Sequence, residues 1–293
     1  MLAQLLLLFA TAKLALAEND HNYHSCYEET VKCPTTDSIK IDAKTIAEDG
    51  WPHYCFCNSA SNNYQVTFDL TTTFSIPSEF FVRSRISAIT IPDTCTGIGA
   101  GAFYGTTIGT ITFGANAAPT ISTDAFGEAT FTGAVALPNT AKIADSAFYN
   151  TVFQSRLTLP NDMITITTYA FQHAEFKSDV IFPDSLKTIS SHAFYYATFS
   201  QDVTLKSGVT QVDGFAFYYT TFQKALEFRN EATLISSNAF QNATFIGLLT
   251  LPAKYKMVSA NTFESATFQA ALTIPSEVKN INSKAFMYAK ING

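Results

Sequence analysis

The sequence predicts a solenoid of mixed α/β class, a stack of short repeats each made of a strand, a bend and a short helical turn. Three observations predict it. Phenylalanine recurs at steps of 23 residues over most of the chain, a second phenylalanine lies five residues after most of the first set, and an aliphatic residue stands five residues before each of them. A fixed period of this length is the mark of a repeat architecture.

The first column is Phe103, Phe126, Phe148, Phe171, Phe194, Phe217, Phe240, Phe263 and Phe286, with a single step of 22 between Phe126 and Phe148. Alanine precedes all of these except Phe263. The second column is Phe131, Phe153, Phe176, Phe199, Phe222, Phe245 and Phe268, with Ile108 and Ile291 at its ends. The third is Ile98, Ile121, Ile143, Ile166, Ile189, Val212, Ile235, Val258 and Ile281, and no polar residue enters it. Between the second and third columns runs an alternating segment such as Leu157-Thr158-Leu159-Pro160 or Leu249-Thr250-Leu251-Pro252. Its period of two predicts a strand with one buried face. Proline, lacking an N–H, stops that ladder at Pro92, Pro138, Pro160, Pro183, Pro252 and Pro275. A serine or other small polar residue ahead of each Ala-Phe pair suits the cap of one or two helical turns.

A repeat this short cannot enclose its own apolar side chains, so the next repeat must cover them. Parallel strands about 4.8 Å apart would make a sheet on the order of 40 Å long over nine repeats. The phenylalanines become ladders of stacked rings in the interior, which accounts for 26 Phe beside a single Trp without any ligand.

Ahead of the repeats the chain changes character. Residues 1–17 form an apolar run ending in Ala15-Leu16-Ala17, the pattern of a signal peptide with its cleavage site, and the run is short for a bilayer span. No later stretch is apolar for long enough to make a transmembrane segment, so a secreted or cell-surface location is expected. Residues 18–65 read as a polar N-terminal cap holding Cys26, Cys33, Cys55 and Cys57. In a secreted chain four cysteines suggest two disulfides. Bonds joining Cys26 and Cys33 to Cys55 and Cys57 are preferred, because closing Cys55-Phe56-Cys57 would strain the ring. Residues 66–88 carry strand-like pieces without an Ala-Phe turn and read as a degenerate first repeat, leaving nine regular repeats over 89–293. Cys95 shares a column with Leu186, Val209 and Val278 and is expected as a buried free thiol.

The pattern Ala174-x-Phe176-x3-Val180-x-Phe182-Pro183-x2-Leu186-x2-Ile189-x3-Ala193-Phe194, recurring nine times from about Ile89 onward, resembles the BspA-type leucine-rich repeat of surface antigens. The family usually has a small residue followed three places later by leucine; here Ala174 is followed two places later by Phe176. The resemblance implies a right-handed leucine-rich-repeat solenoid that serves adhesion or recognition of extracellular protein or glycan. It implies neither a catalytic residue nor a cofactor, and it names no fixed ligand.

Composition and motifs exclude several other functions. A net charge of −6 with 14% charged residues offers no basic patch for nucleic acid. Gly97-Ile98-Gly99-Ala100-Gly101 imitates a dinucleotide loop, but Ile98 stands in a repeat column and Phe103 follows in another. His21, His24 and His53 lie near the four cysteines, and zinc is the less favoured alternative to disulfides there. His173 and His192 have no serine or cysteine nucleophile at a recurring spacing, so no enzyme is expected.

Two surfaces remain as candidates for a partner. The two positions after each Ala-Phe pair hold Tyr149, His173, Tyr195, Tyr196, Tyr218 and Tyr219 across four adjacent repeats, and tyrosine gives a large contact with a polar tip at low entropic cost. The strand face is the alternative, lined by Arg156, Thr158, Asp179, Ile181, Asp202, Thr204 and Glu227. Its row of threonines, Thr90, Thr112, Thr158, Thr204, Thr250 and Thr273, could meet ice or a crystalline polysaccharide, but Ala136, Ile181 and Glu227 interrupt it. Asn242-Ala243-Thr244 is a glycosylation sequon. No polar closing unit follows Phe286, so either end-to-end self-association at an open edge or a short helical-turn lid over it is expected.

Overall fold

A computed structural model describes residues 38–42 and 64–293. The signal-peptide segment, most of the cap, Cys26, Cys33, Cys55, Cys57, His21, His24 and His53 lie outside the described residues.

Most regular coils carry three short strands and one tight turn, and like strands of successive coils pair in parallel. One row is a twelve-stranded sheet that begins Ser38–Asp42, Tyr64–Asp69, Arg85–Ile91 and Thr107–Phe113 and continues with two-residue strands from Thr130–Phe131 to Lys290–Ile291. This row carries the second phenylalanine column in register, Phe131 on Phe153, Phe153 on Phe176 and Phe176 on Phe199. The Leu-Thr-Leu-Pro segments make a second row, as in Leu157–Thr158 beside Val180–Ile181 and Val203–Leu205 beside Leu226–Phe228. The aliphatic column makes a third, Thr165–Ile166 through Leu234–Ile235. All three segments are rich in Thr, Ile, Val, Leu and Phe, which suit a pleated, half-buried surface. Only the second row is expected as a strand from the alternation; the other two are two-residue pairs too short for a period to show.

Stacking equal columns produces the core. The first column forms a ladder in which Phe103, Phe126, Phe148, Phe171, Phe194, Phe217, Phe240 and Phe263 lie on one another at 5.0–5.6 Å between centroids. Phe286 continues it at 5.2 Å. At the other end Phe81 stacks on Phe103 at 4.9 Å, so residues 66–88 contribute a full turn in which Phe80-Phe81 replaces Ala-Phe. The second ladder runs from Phe131 to Phe268 at 4.7–5.4 Å. All of these rings except Phe286 are buried, and offset parallel rings add attraction beyond the area they remove from water.

The expected helical turn is corrected: the described residues contain no helix, so the regular coils are all-β with turns rather than mixed α/β. Two residues in each turn, two before and two after the buried phenylalanine, take positive φ, for example Asp124 (52°) and Glu128 (55°), or His192 (57°) and Tyr196 (56°). A left-handed residue every fourth position breaks a right-handed helix. Alternate turn amides also reach across rather than back: Phe194 N–H donates to Ala216 O at 2.9 Å and Tyr196 N–H to Tyr218 O at 2.9 Å, both in the next coil. A short bond inside the turn, Ala197 N–H to Phe194 O at 3.0 Å, closes it. The turn is satisfied partly by its neighbour and partly by bonds to its own residues three places back, and a helix would have forfeited the bonds to the neighbour.

The small residues after the turn complete the packing. Ala174, Ala197, Ala243 and Ala266 are fully buried three places after the first phenylalanine, where other coils place Thr106, Thr151 and Thr220. Thr151 and Thr220 each donate a hydroxyl hydrogen bond of 2.6 Å, to Phe126 O and Phe194 O respectively, so these buried polar groups are not orphaned. In the Gly97–Gly101 stretch, a Cβ on Gly99 would come within 2.5 Å of the Ser78 backbone N, and Gly101 has a φ of 61°. Those glycines serve coil packing. Cys95 is a fully buried free thiol, as its column predicts.

Candidate binding surface

The left-handed turn geometry fixes what the turn side presents. The buried phenylalanine and its preceding alanine face the core, so the residues beside them, two before, one after and two after the phenylalanine, form three outward columns. In the coils of Phe148 to Phe217 these columns collect aromatics. Tyr169, His192 and Phe215 make the first, Tyr149, Tyr195 and Tyr218 the second, and His173, Tyr196 and Tyr219 the third. The first column is not among the residues singled out from the sequence. It stands in the same repeats, on the other side of the Ala-Phe pair, and would have emerged from reading the turn symmetrically about the phenylalanine.

The rings stack along the coil axis. Tyr196 lies on Tyr219 at 4.5 Å and 3°, His173 on Tyr196 at 4.9 Å and 7°, and Tyr195 on Tyr218 at 5.4 Å and 7°. His192 lies on Phe215 at 5.1 Å and meets Tyr169 at 4.8 Å. Between columns the contacts are edge to face, Phe215 with Tyr218 at 5.4 Å and His192 with Tyr195 at 5.7 Å. Tyr149 enters only through an edge contact of 5.9 Å with His173. Of the six turn residues expected from sequence to face solvent, Tyr196 and Tyr219 are about 40% exposed and the other four are half-buried or nearly exposed against their neighbours.

This packing shifts the titrations. Burial among the rings lowers the pKa of both His173 and His192, so each is a neutral imidazole at pH 7. His192 Nδ1 shares a 2.7 Å hydrogen bond with Ser191 Oγ. The Tyr196 and Tyr218 hydroxyls are pushed up, first by burial and then by neighbouring phenols. The tract is thus uncharged. On its C-terminal side the columns turn polar at Asn238, Gln241 and Asn242, where Asn238 donates to Gln241 at 2.9 Å and Gln241 to Glu264 at 3.1 Å. On its N-terminal side Tyr104 is buried, its ring lying against Gly127, where a Cβ would meet it at 2.9 Å.

The strand-face residues are arranged differently. Asp179 pairs with Arg156 at 3.3 Å, Glu227 with Arg229 at 2.9 Å, and Asp202 accepts a hydrogen bond from the Ala225 amide at 3.0 Å. Asp179, Ile181, Asp202 and Thr204, with Val180, Phe182 and Lys206, line a shallow hollow of about 160 Å³. Their charges are largely met by neighbouring coils. The threonine row is joined by a second, Thr107, Thr130, Thr198, Thr221, Thr244 and Thr267, on the outward positions of the twelve-stranded sheet, which Val152 and Glu175 interrupt. From sequence those threonines are hidden in the stretch taken for the end of the turn.

Among the described residues there is no group of three His, Cys, Asp or Glu that could hold a metal ion, and no helix long and apolar enough to cross a membrane. The stacked coils and the turns that decorate them define a parallel β-solenoid whose surface residues vary while its interior columns repeat. A family model, the BspA type leucine rich repeat region in six copies, matches residues 51–177 and 165–292, and the chain belongs to that family. No curated protein and no solved structure matches the chain.

Proposed function

We propose that this chain is a non-catalytic, secreted or cell-surface recognition scaffold whose aromatic turn tract binds a protein partner. Leucine-rich-repeat solenoids of this family are typically scaffolds for protein binding and are often secreted or at the surface, and the signal-peptide-like start agrees with export. The observation that carries the choice of ligand is the stacking itself. A sugar ring docks on the open face of an aromatic ring, but here the faces of His173, Tyr196 and Tyr219 lie against one another. What is presented is a ridge of ring edges and hydroxyls at coil spacing, which suits backbone amides and small apolar side chains of a protein. A glycan on Asn242 would stand at the C-terminal margin of the tract.

The test is selection of a displayed peptide library on the wild-type protein, followed by affinity measurement of the recovered peptides. Tyr195→Ser with Tyr218→Ser should weaken them about tenfold or more, while Asp179→Ala with Asp202→Ala leaves them unchanged. The opposite pattern moves the site to the strand face.

A further inference from the structure

The chain contains four arginines, Arg83, Arg85, Arg156 and Arg229. Arg156 and Arg229 are each paired with a carboxylate of a neighbouring position, at 3.3 and 2.9 Å. Arg83 and Arg85 have no ion-pair partner among the described residues, although the chain carries a net charge of −6. Both are exposed and both line one hollow of about 350 Å³, with Ser84, Gly105, Thr107 and Glu128. The hollow exists because the next coil has glycine where others place a side chain. Arg83 occupies the second left-handed position of its turn, at a φ of 53°, and Gly105 the same position one coil on, at 65°. A Cβ on Gly105 would stand 3.0 Å from Arg83 Cγ, so any larger residue would crowd the arginine and fill the space. Arg85 sits two residues further along, on the strand, with its ladder partner Thr107 on the floor.

We propose that this hollow is a carboxylate-binding site that takes an acidic segment of a protein partner. Two planar guanidinium forks lining one hollow match the chemistry of a carboxylate, whose two oxygens accept the parallel N–H groups of a fork. Hydroxyls at Ser84 and Thr107 line the same space. Glu128, which lines the same hollow, opposes the anion: it keeps the hollow from being uniformly cationic and makes binding weaker than the two arginines alone would allow. The site shares the turn side with the aromatic tract, since Arg83, Gly105, Glu128, Asn150, His173, Tyr196 and Tyr219 succeed one another in a single column. At about 4.8 Å per coil, Arg83 and His173 are on the order of 19 Å apart, a span that six or so extended residues cover. This inference rests on the reading of a protein partner but uses other residues.

The experiment is fluorescence anisotropy at low salt with a fluorescein-labelled tetra-aspartate peptide on the full chain, with tetra-asparagine and a sulfated tetrasaccharide as comparison ligands. Tetra-aspartate is expected to bind and tetra-asparagine not to. Arg83→Gln with Arg85→Gln should weaken binding at least tenfold, Glu128→Gln should tighten it severalfold, and Tyr195→Ser with Tyr218→Ser should leave it unchanged. Thermal melts check that the exposed substitutions keep the fold, and Arg85→Lys, which retains charge but loses the fork, should fall between wild type and Arg85→Gln. Absence of tetra-aspartate binding, equal affinity in the double arginine variant, weaker binding in Glu128→Gln, or tighter binding of the sulfated sugar than of the peptide each overturns the proposal. A tyrosine variant that fails on its own peptides while tetra-aspartate still binds separates this site from the tract.

Discussion

Replacing Phe217 by alanine tests the ladder at its centre. The ring is fully buried, stacked on Phe194 at 5.2 Å and on Phe240 at 5.0 Å, and packed against Phe222 at 5.5 Å. Truncating a buried phenylalanine costs about 3–5 kcal/mol from lost transfer energy and the cavity left behind. Aromatic pairs add about 0.5–1.5 kcal/mol each beyond area, and three are lost here, so the upper part of that range is expected. The cavity has little chance to collapse, because coils are held at strand spacing by hydrogen bonds on several sides. Tyr218, the next residue, is only half-buried and lies in the outward tract, so Tyr218→Ala should cost about 1 kcal/mol. Urea unfolding followed by far-UV circular dichroism measures both. Since a stack of repeats is coupled mainly between neighbours, the Phe217 variant should also broaden the transition as the two halves lose their link. A cost below about 2 kcal/mol at Phe217, or one equal to that at Tyr218, would show that the ladder is not what holds adjacent coils together.

Three further outcomes follow from buried or half-buried titratable groups. Burial pushes the Cys95 thiol above its ordinary pKa, so it should resist iodoacetamide in the native protein and react only after unfolding; labelling at the native rate of an exposed cysteine would contradict its place in the core. The Tyr255 hydroxyl is buried near the Ser259 backbone and the Thr262 hydroxyl without a well-formed hydrogen bond to either, and burial pushes its pKa up to about 12, so Tyr255→Phe should leave melting unchanged or raise it, and a drop would show that one of these contacts is a real bond. Burial holds His173 and His192 below the ordinary imidazole pKa of about 6.5, so the unfolded chain takes up their protons first. Stability should therefore fall as pH drops below about 6.5 and level off beneath the folded values. His173→Gln with His192→Gln should flatten thermal melts between about pH 6.5 and 5, and an unaltered slope would assign the effect elsewhere.

What could be read from the sequence was whatever repeats. The buried columns are legible because each position recurs at 23 residues with one chemical character, as Phe126, Phe171 and Phe217 show. The form of the turn was not legible. Ser-Ser-His-Ala-Phe looks like a capped helix start, and only the left-handed φ of His192 and Tyr196, together with amides that bond to the next coil, show otherwise. Backbone sign is invisible in a sequence when aromatic residues occupy positions that glycine and asparagine prefer. The candidate surface was half legible: Tyr195, Tyr196, Tyr218 and Tyr219 stand out as a local excess, whereas Tyr169, His192 and Phe215 join them only once the turn is known to project residues on both sides of the phenylalanine. The hollow at Arg83 and Arg85 had no sequence signal, because it is made by a missing side chain one coil away, at Gly105.

The turns also give the solenoid a direction. From Phe81 to Ala102, Phe103 to Ala125, and onward to Phe263 and Ala285, the amide of each turn donates forward to the following coil. Every strand pairing in the described residues is parallel as well. In the turns a row of donors therefore faces forward, whereas strand amides such as Thr198 N–H to Ala174 O and Ser190 N–H to Ile166 O donate backward, so each end of the stack presents donors and acceptors together. A second chain that continued the stack in this same parallel sense would run head to tail, which by symmetry extends into an open filament rather than a closed two-fold pair.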